Sequence, residues 1–199
     1  MAADHRVPRT HEDQLVLDSR SLRALAHPLR VRIVGSLREH GPATATLLAD
    51  RLGESSGLTS YHLRQLAAAG LVGEETGRGR GRERWWHAMH RGTWYDTDLV
   101  GEDEETQALG HEYLRAVADA HARRVHAWLA TRPDAPARWR KGSTLSDWLL
   151  RLTPTESARL VDELFEVLQR YRRFDSDEPP PRGARQVVVQ LGVLPKVDG

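Results

Sequence analysis

The chain has 199 residues, 39% hydrophobic and 29% charged, with a formal net charge of +1 and no cysteine. This length allows one large domain or two small ones, and the near-neutral balance excludes a uniformly basic nucleic-acid coat. The lack of cysteine excludes disulfides, thiolate catalysis and Cys-ligated zinc or iron–sulfur sites. No apolar run approaches the ~18 residues of a membrane span, and Met1 to Asp18 has no apolar stretch of the signal-peptide kind. We read a soluble cytoplasmic protein with no membrane partner.

Charge is unevenly distributed. Ser19 to Trp94 holds 12 Arg, no Lys and 6 acidic residues, a local charge of +6, whereas Asp96 to Glu105 holds six acidic residues and no basic one. The two segments are expected to have different jobs. The expected organisation is a flexible N-terminus (1–18), a DNA-binding domain (19–95) and a C-terminal dimerisation and effector region (96–199).

In chain order, Ser19 or Ser21 can cap a short first helix running through Ala26. Pro28 suits a first helical position, and Leu29, Ile33, Val34 and Leu37 continue at helical spacing, so a second helix is predicted from about Pro28 to His40. Gly41-Pro42 stops it. Thr44 begins a third helix, with Leu47, Leu48 and Leu52 inward and Gly53 as its C-terminal cap. Ser56 is the expected N-cap of a fourth, Gly57 to Ala69.

Helix, short Gly-containing turn, helix over Thr44 to Ala69 is a helix-turn-helix pattern. Leu63 and Leu66 of the fourth helix serve a core. Thr59, Ser60, Tyr61 and Arg64 lie on the other face: hydroxyls, an aromatic and a guanidinium, the groups that read base edges and grip phosphates. Two strand candidates follow, Val72 to Thr76 and Arg84 to His90. Between them lies Gly77-Arg78-Gly79-Arg80-Gly81-Arg82-Glu83-Arg84. This loop is read as a wing in which Arg78, Arg80 and Arg82, with Arg84 at its end, reach phosphates or a neighbouring minor groove. The bland alternative is a solvated loop. Of Trp85 and Trp86, one is expected beneath the recognition helix and the other exposed or covered by a partner.

Leu25-Ala26-His27-Pro28-Leu29-Arg30-Val31-Arg32-Ile33-Val34 and Ser60-Tyr61-His62-Leu63-Arg64-Gln65-Leu66, with Ala69-Gly70-Leu71-Val72, resemble the ArsR-type winged-helix regulators over roughly residues 19 to 95. The resemblance implies a homodimer that binds a palindromic operator in double-stranded DNA, usually near its own promoter, and usually represses. It implies that Ser56, Thr59, Ser60, Tyr61 and Arg64 face the groove and that His62 sits near the backbone or within the fold. Metal-sensing members carry a Cys-x-Cys pair whose positions fall here at about Thr44 and Thr46, which cannot bind a soft metal. Asp119-Ala120-His121 begins the Asp/His pattern of other members, but the later His pair is absent, and His121 and His126 lie on different helical faces. No metal or other cofactor is expected.

Beyond the acidic segment a long helix is predicted from about Glu104 to Thr131. Leu109, Leu114, Val117, Val125 and Trp128 form an apolar series that an isolated winged helix has little need of, so it is assigned to a dimer interface. Thr153-Pro154-Thr155-Glu156 opens another helix with Leu160, Val161, Leu164, Phe165, Leu168 and Tyr171 on one broad face. Trp148 to Leu152 and Gln186 to Leu191 are read as short strands. Trp128, Trp139 and Trp148 could line a cavity for a small-molecule effector, or simply pack a dimer. No Gly-rich phosphate loop, nucleophile elbow or catalytic constellation occurs, so no catalytic residue is assigned.

The fold class is therefore mainly α: a winged helix-turn-helix with a two-stranded β wing, followed by a helical C-terminal region with one or two short strands. The expected function is a sequence-specific transcriptional regulator. The alternative is a winged-helix protein–protein interaction module without specific DNA binding, which would show no salt-dependent DNA affinity.

Overall fold

The computed structural model describes residues 14–76, 83–95, 103–172 and 179–196. They form two compact units, Met1–Thr131 and Arg132–Gly199.

In the first unit, α1 (Ser19–Leu25) is opened by Asp18, whose carboxylate accepts from the Ser21 amide while the Ser21 hydroxyl accepts from the Asp18 amide. This reciprocal box satisfies two amides that a helix start leaves unpaired. Leu17 is buried in the core, and β1 (Gln14–Val16) pairs in parallel with β5 (Gly92–Trp94), so residues 14–18, expected to be flexible, are part of the fold.

The second helix, α2, spans Pro28–His40 as predicted, with His27 Nδ1 accepting from the Leu29 amide. Thr44 caps α3 (Ala45–Leu52), and Gly53 ends it in the left-handed region at φ 69°, where a side chain would be strained. Then α4 runs Ser56–Ala68. Its N-cap is Ser55, one residue before the expected Ser56. The helices enclose Leu22, Ile33, Leu48, Leu63 and Leu66, all with negligible exposure. Leu47, expected inward, is 39% exposed, because Leu48 takes the core position on this short helix.

The wing sheet has three strands, one more than expected: β2 (Ala43–Thr44), β4 (Trp85–Ala88) and β3 (Val72–Glu75), antiparallel and in that order. The extra strand is the two-residue lead into α3, which aligns Thr44 with Trp85 and Ala43 with Trp86. Trp86 is buried in the core and Trp85 is half-buried.

The long helix α5 (Glu104–Thr131) has its predicted bounds but a different role at its start. Thr106, Gly110, Tyr113 and Ala116 are buried at spacings of three to four residues, and Leu109 and Val117 pack beside them. The helix packs against α1 and α2 of its own unit. Tyr113 shares a 2.8 Å hydrogen bond with the Thr93 hydroxyl, and Arg124 lies 3.8 Å from Glu39. The winged helix thus uses Leu109 and Val117 of the apolar series assigned to a partner, and the compact unit extends to Thr131 rather than stopping near residue 95. Leu114 and Leu129 point outward.

The second unit contains a 3₁₀ turn (Arg132–Asp134), α6 (Ala137–Lys141) and α7 (Pro154–Gln169). The predicted start of α7 is present in full: Thr153 accepts from the Glu156 amide and Glu156 reaches back to the Thr153 amide. None of its described residues is buried. The expected strands at Trp148 to Leu152 and Gln186 to Leu191 do not form; both stretches lie outside any helix or sheet, with Trp148 76% and Leu149 85% exposed. A strand needs a ladder partner, and β propensity alone does not supply one. No described helix is long and apolar enough to cross a membrane.

Candidate nucleic-acid interface

The turn between α3 and α4 is anchored from behind. Arg32 of α2 pairs with Glu54 at 3.0 Å and donates to the Leu52 carbonyl, so the one acid of the turn is neutralised on the inner side. From Ser55 through Val72 the chain carries no acidic residue. At the far end of α4, Arg20 of α1 donates to the Ala68 carbonyl, supporting a helix end that lacks its own basic residue.

The inner face of α4 holds Thr59, His62, Leu63 and Leu66. This corrects one expected contact. Thr59 is fully buried, and its hydroxyl donates to the Ser55 carbonyl at 3.0 Å, so it cannot meet a base. A Thr one turn after the cap satisfies its hydroxyl on the helix itself and presents its methyl inward.

His62 packs tilted against His27 at the start of α2, 4.4 Å from ring centre to ring centre, and Tyr61 meets the His62 ring edge-on. Burial first, then the charges of His27 and Arg30, hold His62 below the ordinary histidine range, with Glu54 opposing. Burial and the Arg30 charge lower His27. Both rings are therefore neutral near pH 7, which keeps charge out of the seat on which α4 rests.

The outer face exposes Ser56, Gly57, Leu58, Tyr61, Arg64 and Gln65. Because Ser55 does the capping, the Ser56 hydroxyl stands free of that task. Arg64 Nε donates to the Ser60 carbonyl at 3.2 Å, which lays its stem along the helix with the guanidinium end outward. Ser60 is half-buried at the edge of an open groove of about 330 Å³. The groove lies between the start of α3 (Thr44, Thr46), α4 (Ser60, Arg64) and the base of the wing (Glu83, Arg84, Trp86). Thr44 and Thr46, compared above with a metal-binding pair, are thus a helix cap and a groove wall. Arg84 lies 3.7 Å from Glu74, both well exposed. Such a pair is worth roughly 0–1 kcal/mol and leaves the guanidinium free to turn to a phosphate. Arg78, Arg80 and Arg82 lie outside the described residues.

The structure therefore brings Ser56, Ser60, Tyr61, Arg64 and Arg84 to one side of the unit and removes Thr59. Sequence reasoning passed over Leu58 and Gln65. Both stand on the face of Tyr61, three residues before and four after, and this spacing was the available signal. Among the described residues no group of three His, Asp or Glu could hold a metal ion. His121 is half-buried and held below the ordinary histidine range by burial and by the Arg124 charge.

Residues 25–74 match the family model of a helix-turn-helix domain. Among solved structures the chain is similar to the YusO protein from Bacillus subtilis, at 14% identity over 76% of this chain and 84% of that one, with a TM-score of 0.32. It is also similar to RV1404 from Mycobacterium tuberculosis, at 16% identity over 76% and 82%, with a TM-score of 0.30. No curated protein matches the sequence. The family match covers α2, α3, α4 and most of β3, and β4 completes the hairpin behind them. The chain therefore carries a winged helix-turn-helix, the fold of DNA-binding regulators.

Proposed function

We propose that this protein is a sequence-specific, homodimeric transcriptional regulator of the ArsR type. In this reading it represses from an inverted-repeat operator, with α4 in the major groove and the Arg-rich wing on the flanking backbone. The observation that carries it is the outer face of α4: exposed Tyr61, Arg64 and Gln65, no acid from Ser55 to Val72, and Arg84 at the edge of the adjoining groove. A helix face of exposed donors without carboxylates suits a polyanion, and side chains at helical spacing suit a groove wide enough for a helix. A two-fold dimer would set two such helices about one DNA turn apart, or a multiple of it, so the operator would be palindromic. The C-terminal unit exposes apolar side chains and is the natural place for self-association or for an effector.

Selection of bound duplexes from a random pool tests this. A recovered inverted repeat, bound with a steep salt dependence, is the expected result. Enrichment of no sequence, or affinity that ignores salt, would instead favour the protein–protein module.

A further inference from the structure

Leu58 is 41% exposed and Tyr61 is 52% exposed, adjacent on the outer face of α4. Leu58 is not needed by the fold there, and Tyr61 meets it at the edge of His62: the inner face already supplies Thr59, His62, Leu63 and Leu66 to the core. Gly57 precedes Leu58 inside the helix, and a methyl added to it would meet no atom within 4 Å. Its φ is not positive, so neither packing nor backbone conformation calls for glycine at this point. A glycine lets another surface come close to the backbone, and nothing within the unit uses that room here. One turn beyond Tyr61 stand Arg64 and Gln65, both exposed. The face thus starts bare, becomes apolar and ends in a guanidinium and a carboxamide.

In the major groove one group is apolar, the C5-methyl of thymine. Adenine offers the acceptor and donor that match a carboxamide, and guanine the two acceptors that match a guanidinium. From Leu58 to Gln65 the helix advances about 10 Å, the rise of roughly three base steps.

We propose that Leu58 and Tyr61 read a thymine methyl, that Gln65 reads an adjacent adenine and Arg64 a guanine, and that the operator half-site is a short A·T step beside a G·C pair. This rests on the DNA-binding reading above, since without a cognate duplex there is no methyl to read. Gly57 serves it by letting the first turn of α4 approach the groove floor.

The test starts from a duplex selected from a random pool, so failure to obtain one counts against DNA binding itself and not against this assignment. Each thymine of the half-site is then replaced singly by deoxyuridine, which deletes the methyl and leaves the base pair. Binding of the full chain is measured for wild type, Leu58→Ala and Leu58→Met. Wild type should lose about fourfold at one or two positions, the equivalent of about 0.8 kcal/mol for one buried methyl group. Leu58→Ala should lose a similar amount on the thymine site and little more on deoxyuridine. Leu58→Met should keep the discrimination, and Gln65→Ala should relax the choice of adenine at the neighbouring pair. Gly57→Ala should leave the thermal midpoint unchanged or higher while weakening binding. The proposal is overturned by a half-site without thymine, by deoxyuridine tolerated at every position, or by equal deoxyuridine losses in wild type and Leu58→Ala. Unchanged DNA affinity with lost self-association in Leu58→Ala would overturn it too, and would assign the face to protein contact.

Discussion

The two compact units have comparable local signals and opposite tertiary outcomes. In the first, helices with weak amphipathicity close around Leu22, Ile33, Leu48, Leu63 and Leu66, all without exposure. In the second, α7 has a full capping box, Pro at its start and a clear apolar face, yet none of its residues is buried. A well-punctuated helix is a local achievement. A core needs apolar faces arriving from several directions, and the extended stretches of the second unit leave Leu145, Trp148 and Leu149 in solvent. The difference teaches that α5 belongs with the first unit as a structural member, because it brings Tyr113 and Ala116 to the core.

The largest expected effect comes from cutting the chain on either side of that helix. Ending it after Thr131 should leave a cooperative, folded winged helix. Ending it after Tyr95 removes Tyr113, Ala116 and the packing of Leu109 and Val117, and uncovers the α1 and α2 faces that the helix lies against. That fragment should unfold without a transition or aggregate. Urea titration followed by circular dichroism decides, and a cooperative fragment ending at Tyr95 would return α5 to the role of a pure dimer helix.

Next come single core deletions. Leu63→Ala should cost about 2–5 kcal/mol, because the site is sealed and relaxes only in part. Leu150→Ala, at 61% exposure, should change the unfolding free energy by less than about 0.5 kcal/mol. A large cost at Leu150 that grows with protein concentration would show that a second molecule covers this unit in solution.

What was legible in the sequence follows the same division. The bounds of α2 and α5 could be read because Pro28 and Gly41 punctuate one and periodicity sustains the other. The exposed face of α4 was legible through Tyr61 and Arg64, but choosing side chains by polarity admitted Thr59 and omitted Leu58, and Gln65 was passed over despite its carboxamide. Angular position on the helix was the better guide, since Thr59 shares the side of Leu63 and Leu66. The parallel pairing of Gln14–Val16 with Gly92–Trp94 was not legible. Three residues carry no period, and their partner lies at the other end of the domain. Nor could the sequence say that Leu109 and Val117 of α5 would be spent within their own unit, because periodicity reveals a face and not what covers it.

A third expected effect sits where α5 meets Tyr95, the residue after β5. A Cβ at Gly110 would run into the Tyr95 hydroxyl and lie 2.8 Å from Cζ of the same ring. In an open helix Gly→Ala gains about 1 kcal/mol. Here the ring is held against Tyr113, at 5.9 Å between centres, so overpacking of about 1–3 kcal/mol should outweigh the gain. Gly110→Ala should lower the urea midpoint, and adding Tyr95→Ala should recover part of it. An increase in stability for the single variant would mean that Tyr95 swings aside freely and does not tie α5 to β5.

The smallest expected effect concerns pH, and it too separates the units, since all ten histidines precede Arg132. His27 and His62 are both held below the ordinary histidine value, by burial first and then by neighbouring positive charge. The unfolded chain takes up these protons near pH 6.5, and the folded chain only at lower pH. Between the two values the unfolded state binds more protons, so stability rises with pH. The contribution is full above about pH 7 and is lost as pH falls below about 6.5 toward the folded values. Replacing His27 by Asn retains an acceptor for the start of α2, since Asn is a good N-cap, while removing one titrating ring and one positive neighbour of His62. Urea midpoints at pH 7.5 and 5.5 should therefore differ less in His27→Asn than in wild type, with the residual difference belonging to His62 and to the half-buried His121. The circular dichroism of α7, which has no histidine near it in sequence, should not change over that interval. An equal pH dependence in both proteins would show that the His27–His62 pair does not govern the acid limb.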